Sequence, residues 1–162
     1  MVKIDALDRQ IIDLLMEDGR MQSAEIARRL QGAVTERAVR YRIQRLSNNG
    51  TIKVSAIVNP IRLGFRVIAD VFVEVEPGYI DTVAQRLADH ENVSYVAYSM
   101  GERDISVQIV TRNNDEVFSF ATEFISKLPG VRKTVTYIVP TKIKDSYQWH
   151  IPGSIGEPGN EP

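Results

Sequence analysis

Twelve residues, Thr35-Glu36-Arg37-Ala38-Val39-Arg40-Tyr41-Arg42-Ile43-Gln44-Arg45-Leu46, constrain this chain more than any others. Thr35 suits a helix N-cap, because its hydroxyl can accept from a first-turn backbone N–H that has no partner within the helix. Val39, Ile43 and Leu46 follow at i, i+4 and i+7 and share one face. The opposite face carries Arg37, Tyr41, Gln44 and Arg45, with Arg40 at its edge. Guanidinium, amide and phenol groups are those that meet phosphates and base edges in a major groove. A lone basic amphipathic helix is equally a solvated surface, so its neighbours decide.

Those neighbours favour recognition. Asp5 suits the cap of a helix whose Leu7, Ile11, Leu14 and Leu15 form a stripe, and Asp18-Gly19-Arg20 ends it with Gly19 as a left-handed stop. Ser23 is expected to cap a second short helix holding Ile26, Ala27 and Leu30, which Gly32 breaks. The basic helix is third and ends near Asn48-Asn49-Gly50. Thr51 to Val58 then reads as a strand from its β-branched content. Three short helices and a strand make a winged helix-turn-helix, in which the second helix braces the third against the duplex. The DNA-facing set is Ser23, Thr35, Arg37, Arg40, Tyr41, Gln44, Arg45 and, in the wing, Lys53.

Charge agrees. The net charge is −1, yet residues 28–45 hold six arginines and one acid, Glu36. A basic patch in a near-neutral chain is the footprint of a local polyanion-binding surface. Composition narrows the remainder. The chain has no cysteine, which removes disulfides, thiolate metal sites and cysteine nucleophiles. No apolar run approaches the ~20 residues of a bilayer span. The N-terminal pattern is not that of a secretory signal, so a cytoplasmic protein without membrane contact is expected.

After a short connector, residues 59–65, the period changes. Val67, Ala69, Val71, Val73 and Val75 alternate as a strand, and Pro77-Gly78 turns the chain. Ile80, Val83, Ala84, Leu87 and Ala88 form a helical stripe. Residues 93–100 read as a strand, Gly101-Glu102-Arg103 as a turn, and Asp104 to Thr111 as a strand. A helix capped by Asn114 or Asp115 carries Val117, Ala121, Phe124, Ile125 and Leu128, Pro129-Gly130 stops it, and Val131 to Val139 is the last strand. The order βαββαβ predicts a ferredoxin-like sheet with both helices on one face. Ile68, Phe72, Val110 and Ile138 are expected on the other face, and a half-apolar second face needs a partner. Residues 141–149 suggest an edge strand or arm, and the Pro/Gly-rich residues 150–162 a disordered tail. The expected architecture is thus α+β: a winged helix-turn-helix over 1–58, the connector, a ferredoxin-like domain over 66–149, and the tail.

The order Leu7-Asp8, Ile11, Leu14-Leu15, Asp18-Gly19-Arg20, Glu25-Ile26-Ala27, Val39, Arg42-Ile43, Arg45-Leu46, Gly50-Thr51-Ile52, then Leu63-Gly64, resembles the leucine-responsive regulatory protein/AsnC family of transcription regulators. The likeness covers residue 5 to about residue 149. One departure is the stretch from Arg28 to Val34, about two residues longer than is usual in the family. The resemblance implies a sequence-specific DNA-binding regulator of double-stranded DNA, modulated by a small effector such as an amino acid. It also implies a homodimer formed through the second domain and assembling to tetramers or octamers.

No catalytic or metal pattern competes. His90 and His150 lack any metal-ligand spacing, no Gly-rich loop leads from strand to helix, and no cofactor is expected. The turn Met100-Gly101-Glu102-Arg103-Asp104 is the candidate effector site. Gly101 permits close backbone approach, turn N–H groups can hold a carboxylate, and Asp104 can accept from an ammonium. The same five residues also make an ordinary hairpin turn. The Gly-x-x-Asp match to the family's effector loop favours the ligand, with Thr134 and Thr136 as further contributors from a neighbouring subunit. Two other readings compete. A sirohaem decarboxylase-like enzyme on this architecture would carry basic residues where Ser94-Tyr95-Val96-Ala97-Tyr98-Ser99 stands, and there are none. A metabolite-binding module without DNA affinity would not need the arginine-rich helix.

Overall fold

A computed structural model describes residues 3–32 and 34–143. These form two compact units, divided between Ile57 and Val58.

The first unit is three helices: α1 (Ala6–Glu17), α2 (Ser23–Arg29) and α3 (Glu36–Asn48). Asp5 and Asp8 form a reciprocal capping box, each carboxylate accepting the other's backbone N–H, at 2.8 and 3.2 Å. Thr35 caps α3, its hydroxyl accepting from Ala38 N–H at 3.3 Å. Ile11, Ile26 and Val39, one from each helix, are fully buried together, and Leu7, Leu14, Leu15, Leu30 and Ile43 pack around them. The stripes read from spacing are therefore the ones that meet.

Three local expectations are corrected. Gly19 does not take a positive φ; Asp18 ends α1 in extended backbone, its N–H bonding Leu14 O. Gln22, not Ser23, is the N-cap of α2, and no side chain supplies the cap hydrogen bond. The longer α2–α3 stretch is accommodated by two successive left-handed residues, Gln31 (φ 56°) and Gly32 (φ 73°). The wing strand is also absent: residues 53–58 pair with no strand among the described residues, and Val54, Ile57 and Val58 are exposed. β-branched content favours a strand only where a second strand offers its ladder.

The second unit opens with a 3-10 turn, Pro60–Leu63, capped by Asn59 and closed by a left-handed Gly64. It then runs β1 (Val67–Val75), α4 (Ile80–Ala88), β2 (Val93–Tyr98), β3 (Ile105–Thr111), α5 (Asn114–Ser119) and β4 (Val131–Ile138). The strands are antiparallel in the order β2-β3-β1-β4, the ferredoxin-like arrangement. Asn113, rather than Asn114 or Asp115, caps α5, which continues through a π turn at Phe120–Phe124 and a 3-10 turn at Ile125–Lys127. Ala69, Val71, Val73, Ile105, Val107 and Ile109 lie buried beneath Val83, Leu87, Val117, Phe120 and Ile125.

The register decides the other face. Ile68, Phe72 and Val110 alternate with the buried positions, so they point away from the helices as expected. Ile138 does not: it pairs with Ala69, a core residue, and so shares the helix side. The cause is a bulge. Val75 pairs with Val131 and Glu74 with Lys133, which leaves Arg132 as an extra residue and reverses the parity of the rest of β4. Tyr137 takes the outer face instead and meets Phe72 edge-on at 6.0 Å. The arm expected over 141–149 lies outside the described residues from 144 on, and residues 141–143 form no strand; the tail and His150 also lie outside them.

Candidate nucleic-acid interface and effector turn

In the first unit, α3 sorts its arginines by face. Arg37, Arg40, Tyr41 and Gln44 are exposed, Tyr41 by 67%. Arg40 pairs with Glu36 one turn before it, both in water; such a pair is worth little and opens easily. Arg42 and Arg45 are tied back to α1 instead. Arg42 Nη1 lies 2.7 Å from both Asp5 Oδ2 and Asp8 Oδ1, and Arg45 Nη2 lies 2.5 Å from Asp8 Oδ2. Asp8 is completely buried. The Arg42 guanidinium, followed by the Asp8 backbone N–H, holds the Asp5 carboxyl below its ordinary value, and Asp5 and Asp8 raise Arg42 in return.

Arg45 therefore does not stand with the exposed set in which its spacing placed it. A carboxylate with no exposure needs partners, and the two arginines supply them. A sequence signal existed: Asp8 falls beside Ile11 and Leu15 on the apolar stripe of α1, and a carboxylate there demands a cation. Asn48 and Asn49, which spacing alone did not single out, join Tyr41, Gln44 and Arg45 around a polar concavity of about 490 Å³. Of the remaining expected contacts, Ser23 is half-buried at the start of α2, Thr35 is exposed while its hydroxyl caps α3, and Lys53 is exposed in the unpaired stretch after α3.

In the second unit, the turn between β2 and β3 holds Gly101 at φ 139°, a conformation that suits only glycine. Met100 is fully exposed, and Glu102 is exposed beside it. Arg103 is half-buried and pairs with Glu74 on β1. Asp104 is tied into the sheet: its N–H donates to Val73 O at 3.0 Å, and its Oδ2 accepts from Val75 N–H at 2.7 Å. The carboxylate thus extends the β1–β3 ladder past its last residue pair. Asp104 also lines a cleft of about 410 Å³ with Gly78, Ile80, Asp81, Tyr98 and Ser99. Tyr98 donates its hydroxyl to Asp81 at 2.8 Å, and that carboxylate pushes the phenol above its ordinary range. Thr134 and Thr136 are not in this lining. They lie on β4, two strands across the sheet from β3, and pair with Val73 and Val71 of β1.

Among the described residues no cluster of His, Asp or Glu could hold a metal, and no helix is long and apolar enough to cross a membrane.

The comparisons with known proteins agree with both halves. The AsnC-type helix-turn-helix domain matches residues 4–47, and the Lrp/AsnC ligand binding domain matches residues 68–149. An uncharacterized HTH-type transcriptional regulator of Pyrococcus abyssi is 36% identical over 147 residues, 90% of this chain and 92% of its own. The HTH-type transcriptional regulator FL11 of the same organism is 37% identical over 139 residues, 85% of this chain and 90% of its own. Among solved structures, E. coli AsnC matches with a TM-score of 0.81 at 24% identity, covering 89% of this chain and 97% of that one. The transcriptional regulator NMB0573 of Neisseria meningitidis, solved as a complex with L-Met, matches at 0.83 and 20% identity, covering 93% and 97%. At those identities the structures speak for the fold alone. The relatives are transcription regulators rather than enzymes. The chain belongs to the Lrp/AsnC family and is a DNA-binding transcriptional regulator with a ligand-binding domain.

Proposed function

We propose that this regulator reads a specific operator with the outer face of α3 and that an amino acid sets its DNA affinity or assembly. The observation that carries the reading is the sorting of α3: Arg37, Arg40, Tyr41 and Gln44 face water while Arg42 and Arg45 are tied to α1. Bidentate guanidinium and amide contacts to base edges need such an exposed set on one helix face, and the exposed Arg40–Glu36 pair opens easily.

The effector reading is supported by the turn at residues 100–104. Gly101 leaves the backbone open to a ligand carboxylate, and the adjoining cleft presents Asp81 and Asp104 to an ammonium. A solved regulator of the same fold binds L-Met. Thr134 and Thr136 reach a ligand here only from a neighbouring subunit. The outer sheet face, which Thr134 and Thr136 do not share, supports pairing of two copies, because Ile68, Phe72, Val110, Val135 and Tyr137 make a half-apolar surface that a second copy would cover. The functional unit is then a homodimer, with half-sites about one DNA turn apart, assembling further into tetramers or octamers.

The test is a thermal-shift screen of the twenty amino acids, since a ligand of the folded state raises apparent stability. Operator affinity is then measured with and without the hit. Asp104→Asn keeps an acceptor for the Val75 N–H and removes the charge, so it should abolish the response while ligand-free binding stays near normal. A variant that still responds at the same concentration would place the effector elsewhere.

A further inference from the structure

We infer that Asp8 is a positioning residue for DNA recognition: it holds Arg45 off the phosphate backbone, so that α3 meets the duplex with Arg37 and Arg40 as its cations. The inference rests on α3 being the recognition helix, as proposed above.

The geometry is over-determined. The buried Asp8 carboxylate accepts from Arg42 Nη1, Arg45 Nη2 and the Asp5 N–H. Together Asp5, Asp8, Arg42 and Arg45 carry no net charge. Arg45 is the member nearest the reading face: it follows Gln44 directly and lines the same concavity as Tyr41 and Asn48. Its Nε is buried without a hydrogen-bond partner among the described residues, so Asp8 alone anchors its guanidinium there. The Arg45 side chain is 36% exposed against 71% for Arg40.

Without the Asp8 charge, a long cation beside the groove-facing residues would have no acid to hold it. It would then neutralise a phosphate. Such a contact strengthens binding to every sequence alike and carries no base information. A regulator works by the ratio of operator to random affinity, so Asp8 protects selectivity by withholding one arginine.

The experiment compares salt dependence of binding on a random-sequence duplex of about 30 base pairs and on an operator selected from a random duplex library. Arg45→Met should leave the slope of log affinity against log salt as in wild type, because Arg45 touches no phosphate. Asp8→Asn, nearly isosteric, should steepen the slope by about 0.9, one phosphate contact. It should also tighten random binding several-fold and lower the operator-to-random ratio. The double variant should return to the wild-type slope. A slope flattened by about 0.9 in Arg45→Met overturns the inference, since Arg45 would then be a direct DNA contact. So does a parallel loss on both duplexes at unchanged slope in a folded Asp8→Asn, which is what a merely structural role predicts. If circular dichroism shows Asp8→Asn to be unfolded, Arg45→Met decides alone. Failure of the underlying reading is seen separately, as an Arg37→Ala variant with unchanged operator affinity.

Discussion

The two units hold themselves together by different means. The helical unit buries five aliphatic side chains among its described residues, of which Ile11, Ile26 and Val39 form one central cluster, and the only buried polar residue among them is a charged one, Asp8. The sheet unit buries fourteen apolar residues in one cluster, and its only buried polar residue among those described is Thr111, whose hydroxyl bonds Asn113 O and Val67 O. Size explains the contrast. The described residues of the helical unit number fewer than 60, and so small a body removes a smaller fraction of its surface from water. Apolar contact is also non-directional, so it sets helix orientation loosely. Two arginines of α3 converging on one buried carboxylate of α1 set it tightly. α3 is oriented by charge, whereas the sheet that carries the turn at residues 100–104 is held by packing.

The strongest test of this contrast is to remove core from each unit. Ile26→Ala and Ile109→Ala should each cost about 2–5 kcal/mol, the range for truncating a buried aliphatic. In the helical unit that loss should melt α1–α3, and amide hydrogen exchange should show their protection vanish while β1 and β3 keep theirs. Ile109→Ala should leave the sheet folded with a lowered melting temperature. Equal survival of both would mean that the helical unit has more reserve than its core implies.

Next comes a residue that aims nothing. Arg37→Ala should cost about 1–3 kcal/mol of operator affinity and relax base preference, as expected for loss of a bidentate base contact. The melting curve should not move. A shifted melt would show that Arg37 holds the helices as well.

A sharper probe of the packed unit is Gly130. It sits at φ 82°, and a Cβ there would run into the Tyr79 ring, just before α4. Gly130→Ala should therefore destabilise the sheet unit by about 1–2 kcal/mol or more, with no change at low salt against high. Urea unfolding at two salt concentrations checks this.

The smallest expected effect is acid sensitivity confined to the helices. Asp5 is held below its ordinary 3.8, first by Arg42. A depressed carboxyl contributes stability that is fully present above about 3.8 and lost as pH falls through its folded value. Asp5 is half-exposed, so water and salt screen much of the effect. Protection of α1–α3 amides should fall before that of β1–β3 as pH is lowered through this range, and Arg42→Met should remove the difference.

Much of this was written in local pattern. The stripes of Ile11, Ile26 and Val39, the caps at Asp5 and Thr35, and the alternation of β1 and β3 depend on neighbours within a turn or a pleat. Short-range geometry is the same wherever the element lies, so these were legible. The exposed set Arg37, Arg40, Tyr41 and Gln44 was legible for the same reason.

What tertiary structure decided were matters of partnership. Residues 51–58 have strand composition, yet no strand among the described residues pairs with residues 53–58. Ile138 changed faces because one bulged residue, Arg132, reversed the parity of β4 against β1. Arg45 is tied to Asp8, and Asp104 became a backbone clamp, because Asp8 and the Val75 N–H stood within reach. A sequence names donors and acceptors; distance between residues far apart in the chain chooses which of them meet, and an unpaired charge or amide buried by folding is too costly to leave unmet.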